Sequence, residues 1–258
     1  MATSATRTTR FAARGLFVTG TDTGVGKTLV ACALLRAFAA RGLRALGMKP
    51  VASGARPAPQ GLVNEDVEQL AAAGNVHAAP SEINPYCFEP PIAPHIAAQR
   101  AGVTIELARI ESAFRALAAR ADVVVVEGVG GFLVPLAPHR DTAQLAQRLA
   151  LPVVLVVGMR LGCLNHALLT LEAIAARGLA LAGWVANHVD PGMAAAEENV
   201  RALAQRIPAP LLARIGYAAR PDARAIASAL DLRPLLGRTR AKAAQGRRRR
   251  SSADPASD

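Results

Sequence analysis

Lys27 and Thr28 close the stretch FVTGTDTGVGKT, Phe17 to Thr28, in which glycines, a lysine and a hydroxyl follow an apolar run. A chain holds phosphate with such a set. Backbone N–H groups and a helix N-terminus point at the anion, glycines let it approach, the lysine adds charge and the threonine hydroxyl serves Mg²⁺. The usual spacing GxxxxGK[ST] is not met, because Thr21 stands five places before Gly26 and Gly20 comes one position early. The residues alone leave two readings open, a nucleotide loop of unusual subtype and an ordinary helix start. Glu127 ends the run DVVVVEG before the turn of Gly128, Val129 and Gly130. A carboxylate there is placed to hold Mg²⁺ or its water, although strand ends also carry acids for solubility. Lys49 in GMKPVASG and Asp66 in GLVNEDVEQL read equally as a surface lysine before a turn and a helix-start acid.

These groups need elements to carry them. Continuous apolar runs (GLFVTG, LRALGMKPV, DVVVVEG, LPVVLVVG, LAGWVAN and APLLARIG) alternate with segments of helical periodicity. That order predicts an α/β fold, a mostly parallel sheet with helices on both faces. The predicted helices span Lys27 to Arg41, Ile105 to Arg120, Thr142 to Leu149, Cys163 to Arg177, Ala194 to Arg206 and Pro221 to Leu236. From Ala52 to Ala93 a proline-rich excursion interrupts the rhythm, with one short helical pattern, NEDVEQLAAAG. Long excursions at strand carboxyl ends usually serve a site, so the substrate pocket is expected beneath this one.

Of the 258 residues 52% are hydrophobic but only 3% aromatic, so the core must be built from Ala, Val and Leu. One domain is the simpler reading, divided as an extension over 1–14, a P-loop α/β body over 15–236 and a basic tail over 237–258. The net charge of +11 is concentrated at the ends. Seven basic residues follow Gly237 against Asp254 and Asp258, and Arg7, Arg10 and Arg14 lie in the first fourteen. The body itself therefore does not call for a nucleic-acid partner. The acid-free start suits both a transit peptide and a disordered extension, and we take the latter; the tail has too little apolar content to fold alone. Cys32, Cys87 and Cys163 form no CxxC pair, which points to reduced thiols in the cytoplasm. No apolar run approaches the roughly 18 residues of a membrane span.

FVTGTDTGVGKT, KPVASG, GLVNEDV, NPYCFEPPIAPHIAA, VVVVEGVGGFLVPL, LPVVLVVGMRLGCLNHALLT, LAGWVANHV and IPAPLLARI together resemble the dethiobiotin synthetase family, in order from about Leu16 to Ile215. That family's loop has the longer spacing seen here, so Gly20 is displaced in a subtype. The resemblance implies a homodimeric P-loop enzyme that uses ATP and Mg²⁺ to close the ureido ring of dethiobiotin from 7,8-diaminononanoate and CO₂. Position by position, it implies that Gly24, Val25, Gly26, Lys27, Thr28 and Leu29 hold the nucleotide phosphates. Thr28, Asp66 and Glu127 would hold Mg²⁺, and Lys49 would act with Lys27 in catalysis. Gly128, Val129 and Gly130 would line the nucleotide, Asn187 and His188 would read the base, and Gly216, Tyr217 and Ala218 would flank it. Thr23 and Ser53 would contact the diamine. Gly162, Cys163, Leu164 and Asn165, in a segment reaching His166, would receive its distal carboxylate from the neighbouring subunit.

Three positions depart from the family's common forms: Gly24 where glutamate can stand, Arg160 for a frequent lysine, and Gly216-Tyr217 for Pro-Trp. Two rivals share the fold. A dimeric partitioning or septum-positioning ATPase usually carries a second lysine near the loop start, where TGTDTG has none. A cobyric-acid-type amidotransferase needs a glutaminase domain, which is not expected in this length.

Overall fold

The structure, a computed structural model, describes residues 15–59 and 61–236. The expected terminal extension and tail lie outside the described residues. The chain runs through β1 (Gly15–Gly20), α1 (Lys27–Ala39) and β2 (Ala45–Met48), then enters the excursion. There it forms β3 (Val51–Ser53), β4 (Arg56–Ala58), β5 (Gly61–Val63), α2 (Glu65–Ala73), α3 (Pro80–Ile83), β6 (Tyr86–Phe88) and α4 (Pro94–Arg100). Next come α5 (Leu107–Arg120), β7 (Val123–Glu127), β8 (Pro135–Ala137), β9 (Arg140–Asp141) and α6 (Thr142–Leu149). The last elements are β10 (Val153–Met159), α7 (Cys163–Ala176), β11 (Leu181–His188), α8 (Ala196–Ala204), β12 (Leu211–Ile215) and α9 (Ala223–Ala229).

Six strands form one parallel sheet in the order β12, β11, β10, β1, β7, β2. Side chains on a strand alternate between faces, and here both faces are dry. Leu16 and Val18 of β1 pack against α1 and the leucines that follow α9, whereas Phe17 packs with residues of α5 and α6 on the other side. Leu155, Val157, Trp184 and Ala186 form a third cluster under α7 and α8. Burial on both faces explains why these strands read as unbroken apolar runs rather than alternating ones.

Helix ends follow local chemistry. Asp141 accepts from the Gln144 N–H at 2.7 Å and the Gln144 side chain answers to the Asp141 N–H at 3.1 Å, a capping box that starts α6 at Thr142 as predicted. Three predicted elements are corrected. The run LRALGMKPV breaks at Lys49 and Pro50 into β2 and β3, and β3 pairs with β6 in a separate ladder. Proline cannot donate to a ladder, and the Lys49 N–H has already left the sheet for the Ile83 carbonyl at 2.9 Å. The helix predicted from Pro221 to Leu236 is confined to α9, because beyond it the Asp231 N–H turns to the Leu212 carbonyl at 2.9 Å and Leu230, Leu232 and Leu235 pack into the core. The excursion is far more ordered than its proline content suggests, with two small ladders, β3 with β6 and β4 with β5, beside α2, α3 and α4.

Candidate active site

Lys27 begins α1 directly beyond β1. Its helix is capped by Gly26 at φ 91°, and a Cβ on Gly26 would lie 2.3 Å from Asn187 Nδ2. That amide group donates to the Val25 carbonyl at 2.8 Å, so the loop is pinned from behind by the end of β11. Only glycine meets both demands, a left-handed backbone and no side chain. Gly26→Ala should therefore displace the loop and weaken ATP binding by at least about tenfold, the loss of one or two good hydrogen bonds; nucleotide titration beside a melting curve checks this.

The Lys27 ammonium is buried and donates to the Asp22 carbonyl at 2.8 Å. Burial first, and then the neighbouring charge of Lys49, push its pKa down to about 8, against the opposing pull of Glu127 and Asp66. Beside it four side chains meet. Thr28 Oγ1 lies 3.0 Å from Asp66 Oδ1 and 2.9 Å from Glu127 Oε1. Its one hydrogen can serve only one acceptor at a time. Lys49 Nζ donates to Asp66 Oδ2 at 2.8 Å and to Glu127 Oε1 at 2.5 Å.

Lys49 and Glu127 are 4% and 1% exposed, so this is a buried ion pair whose members depend on each other. Burial disfavours the Lys49 charge, but the carboxylates of Glu127 and Asp66 overcome it and raise its pKa above the ordinary lysine value. Burial likewise pushes the Glu127 carboxyl up despite Lys49. Asp66, less enclosed, is desolvated too but ends below the usual carboxylate range because Lys49 and Thr28 bond to it. Glu127 Oε2 is buried and unpartnered among the described residues. Two carboxylates, one of them with a spare oxygen, and a hydroxyl make a hard-oxygen donor set that fits Mg²⁺, which uses few protein ligands when phosphates supply the rest.

Each member is aimed by its element. Glu127 ends β7 opposite Val18, and the next N–H, that of Gly128, bonds the Val18 carbonyl at 2.9 Å. Asp66 sits in the first turn of α2, whose cap Asn64 accepts from the Asp66 N–H at 3.1 Å and donates to the Ser53 carbonyl at 3.2 Å. Lys49 is held by both backbone groups, its N–H by Ile83 and its carbonyl by Asn84 Nδ2 at 2.6 Å. Asn64 and Asn84 were not among the residues singled out from the sequence. Asn64 carried a signal, since asparagine before two acids is a helix cap. Asn84 carried none, because its partner lies 35 positions away.

The structure thus joins Thr28, Lys49, Asp66 and Glu127 by direct contact, sets Lys27 near enough to feel their charges, and ties Asn187 to the loop. Thr23 is exposed at the loop tip, and a Cβ on Gly130 would stand 3.6 Å from its hydroxyl, which sets Gly128 to Gly130 alongside. Ser53 Oγ is buried without a partner among the described residues. Gly162, Asn165 and His166 are exposed at the start of α7, with Cys163 buried beneath them. Gly216, Tyr217 and Ala218 are exposed just past Ile215, which pairs with Asn187. A cavity of about 10 Å³ beside Glu127, between Pro50, Val51, Leu136 and Thr142, holds no more than a water. A groove of about 490 Å³ lies at the opposite end of α1, among Arg36, Arg41, Asn75 and Arg224, away from the chemistry.

A family model described as an AAA domain matches residues 14–223. Over 219 residues the chain is 57% identical to the ATP-dependent dethiobiotin synthetase BioD of Aromatoleum aromaticum, covering 85% of this chain and 97% of that one. The chain belongs to the dethiobiotin synthetase family. A second member, the ATP-dependent dethiobiotin synthetase BioD of Nitrosospira multiformis, is also 57% identical over 219 residues, covering 85% of this chain and 95% of that one. Among solved structures, the MinC:MinD cell division protein complex of Aquifex aeolicus superposes with a TM-score of 0.50 at 14% identity, covering 80% of this chain and 83% of that one. At that identity the likeness concerns the fold, the P-loop α/β architecture that the dethiobiotin synthetases share with it.

Proposed function

We propose that the protein is an ATP-dependent dethiobiotin synthetase, a cyclo-ligase that joins CO₂ to 7,8-diaminononanoate in biotin biosynthesis. The observation that carries this reading is the meeting of Lys49, Asp66, Glu127 and Thr28 beside Lys27 in a chain 57% identical to dethiobiotin synthetases. An unprotonated amine of the diamine attacks CO₂ to give a carbamate. A carbamate oxygen attacks the γ-phosphorus and ADP departs, leaving a carbamic-phosphoric anhydride. The second amine attacks the carbonyl carbon, the ring closes and phosphate leaves.

Nothing in this sequence needs a covalent bond to the protein, so the residues act by position and charge. Lys27 binds the phosphates, with the N–H groups of Gly24 to Leu29. Lys49 neutralises charge as it grows on the transferred phosphoryl group. Thr28, Asp66 and Glu127 would hold Mg²⁺, which when bound would withdraw charge from the phosphate oxygens. Gly128 to Gly130 flank the phosphates, while Asn187, His188 and Gly216 to Ala218 receive the base. With one of its two side-chain N–H donors on the Val25 carbonyl, Asn187 has its oxygen left for an adenine amino group. Thr23 and Ser53 contact the diamine.

The active unit is a homodimer in which Gly162 to Asn165 bind the diamine's carboxylate across the interface. Supporting this, Leu161 is 96% and Leu169 57% exposed around a helix otherwise rich in leucine. A subunit interface through the start of α7 would cover them. Leu161→Asp should give a monomer by light scattering, with diamine KM raised about tenfold or more and ATP binding retained; an intact dimer with normal KM would count against the interface. Among the described residues no helix is long and apolar enough to cross a membrane. The three free thiols fit a reducing cytoplasm, where we place the enzyme.

The decisive test is fixation of labelled bicarbonate into an acid-stable product with ATP, Mg²⁺ and 7,8-diaminononanoate, each omitted in turn. Incorporation that needs all of them supports the ligase. ATP hydrolysis without diamine-dependent fixation would sink it.

A further inference from the structure

Asp22 lies in the phosphate loop and is bonded from three sides. Its carbonyl accepts the Lys27 ammonium at 2.8 Å, its Oδ1 accepts the Thr23 N–H at 2.7 Å, and its Oδ2 pairs with the guanidinium of Arg160. Arg160 has a second attachment through its backbone. Its carbonyl accepts the Cys163 N–H at 3.0 Å, closing the turn through Leu161 and Gly162, with Gly162 at φ 92°, from which α7 starts. One residue thus holds the nucleotide loop with its side chain and the first turn of α7 with its main chain. The two chain segments are also stitched just upstream, where the Thr21 N–H bonds Val156 at 3.0 Å and the Gly158 N–H bonds Thr21 Oγ1 at 3.3 Å.

We propose that the Asp22–Arg160 pair is a positioning device that couples occupancy of the phosphate loop to the diamine-carboxylate segment at the start of α7. The inference rests on the ligase reading and on that segment's role across the dimer. The Lys27 ammonium has two further hydrogens for a phosphate, and in turning to meet one it pulls on the Asp22 carbonyl, which draws on Arg160 and the α7 turn. ATP on one subunit therefore sets the turn that receives the diamine of its neighbour, and by linkage the diamine tightens ATP by the same factor. Arginine suits the task because its planar fork holds a fixed direction, where an ammonium would pivot. Both side chains are nearly half exposed, 42% and 48%, so as an isolated pair they would contribute little to stability. A role in coupling is measurable apart from that.

The test titrates a non-hydrolysable ATP analogue with and without saturating 7,8-diaminononanoate in wild type, Arg160→Ala, Asp22→Asn, the double variant and Arg160→Lys. Wild type should show about five- to tenfold tightening of the analogue by the diamine, at the low end of usual coupling factors. Each single loss should bring this below about twofold, the double variant should be no worse than either, and Arg160→Lys should keep part of it. In turnover the Arg160→Ala change should fall mainly on diamine KM rather than on kcat. Wild-type tightening that survives in Arg160→Ala and Asp22→Asn, or its absence in a wild type that fixes bicarbonate, overturns the inference and leaves the ligase standing. A wild type that fixes no bicarbonate removes both.

Discussion

Bicarbonate fixation by a Lys49→Ala variant should fall by about 10²- to 10³-fold while ATP still binds, the usual consequence of deleting one preorganised charge from a phosphoryl-transfer site. Lys49 lies against Asp66 and Glu127, the carboxylates that we assign to the metal, and on that assignment its ammonium would stand beside the developing phosphoryl charge. The same substitution leaves Glu127 buried beside nothing positive but Lys27. Breaking a buried pair in this way costs on the order of 3–5 kcal/mol, so the melting temperature should drop as well. The two effects separate in a double variant, because Lys49→Ala with Glu127→Gln removes the stranded charge. That protein should recover much of its stability and none of its turnover. Near-normal fixation in Lys49→Ala would take Lys49 out of the mechanism.

The second large effect is on nucleotide affinity. Lys27→Ala should weaken ATP by about 10- to 100-fold, the range for losing a hydrogen bond to a charged group, and should lower turnover too. The lowered pKa of Lys27 adds a signature that alanine lacks. Phosphate favours the charged lysine, and in the free protein the charged form is complete well below pH 8 and is lost as pH rises through about 8. ATP titrated without divalent cation should therefore bind more weakly as pH passes 8, with proton uptake on binding near that pH. Neither trend should persist in Lys27→Ala. A flat profile in wild type would contradict the placement of Lys27 against the phosphates.

Much of this site was legible because its parts obey local rules. A strand, a glycine turn and a lysine at a helix start can be read from Phe17 to Thr28 even with the first glycine displaced, and Glu127 announces itself as an acid ending four valines. Helical periodicity placed α6 from Thr142 to Leu149, and in the structure a capping box at Asp141 sets that start. Long-range choices were not legible. That the helix predicted to reach Leu236 stops at Ala229 could be decided only by the hydrophobic face beside α1, which takes Leu230, Leu232 and Leu235. Pro50 was a local sign of the break after Lys49, but where the Lys49 backbone goes instead could not be foreseen, since Ile83 and Asn84, which receive it, are remote in sequence. The resemblance supplied roles for Lys49 and Asp66 that their neighbours left undecided. It did not supply Asn64, Asn84 or the bond between Asp22 and Arg160.

The anchoring of Lys49 matters for anyone who would trim or re-engineer this protein. Its backbone is clamped by the end of α3, so the aim of its ammonium is set by residues outside the cluster of Thr28, Asp66 and Glu127 that it joins. The excursion works as a jig, and shortening it to the minimal connection would leave a well-packed sheet with its key amine pointing elsewhere. A library randomised over 79–84 would thus be a screen for turnover, even though every varied side chain would look like scaffold.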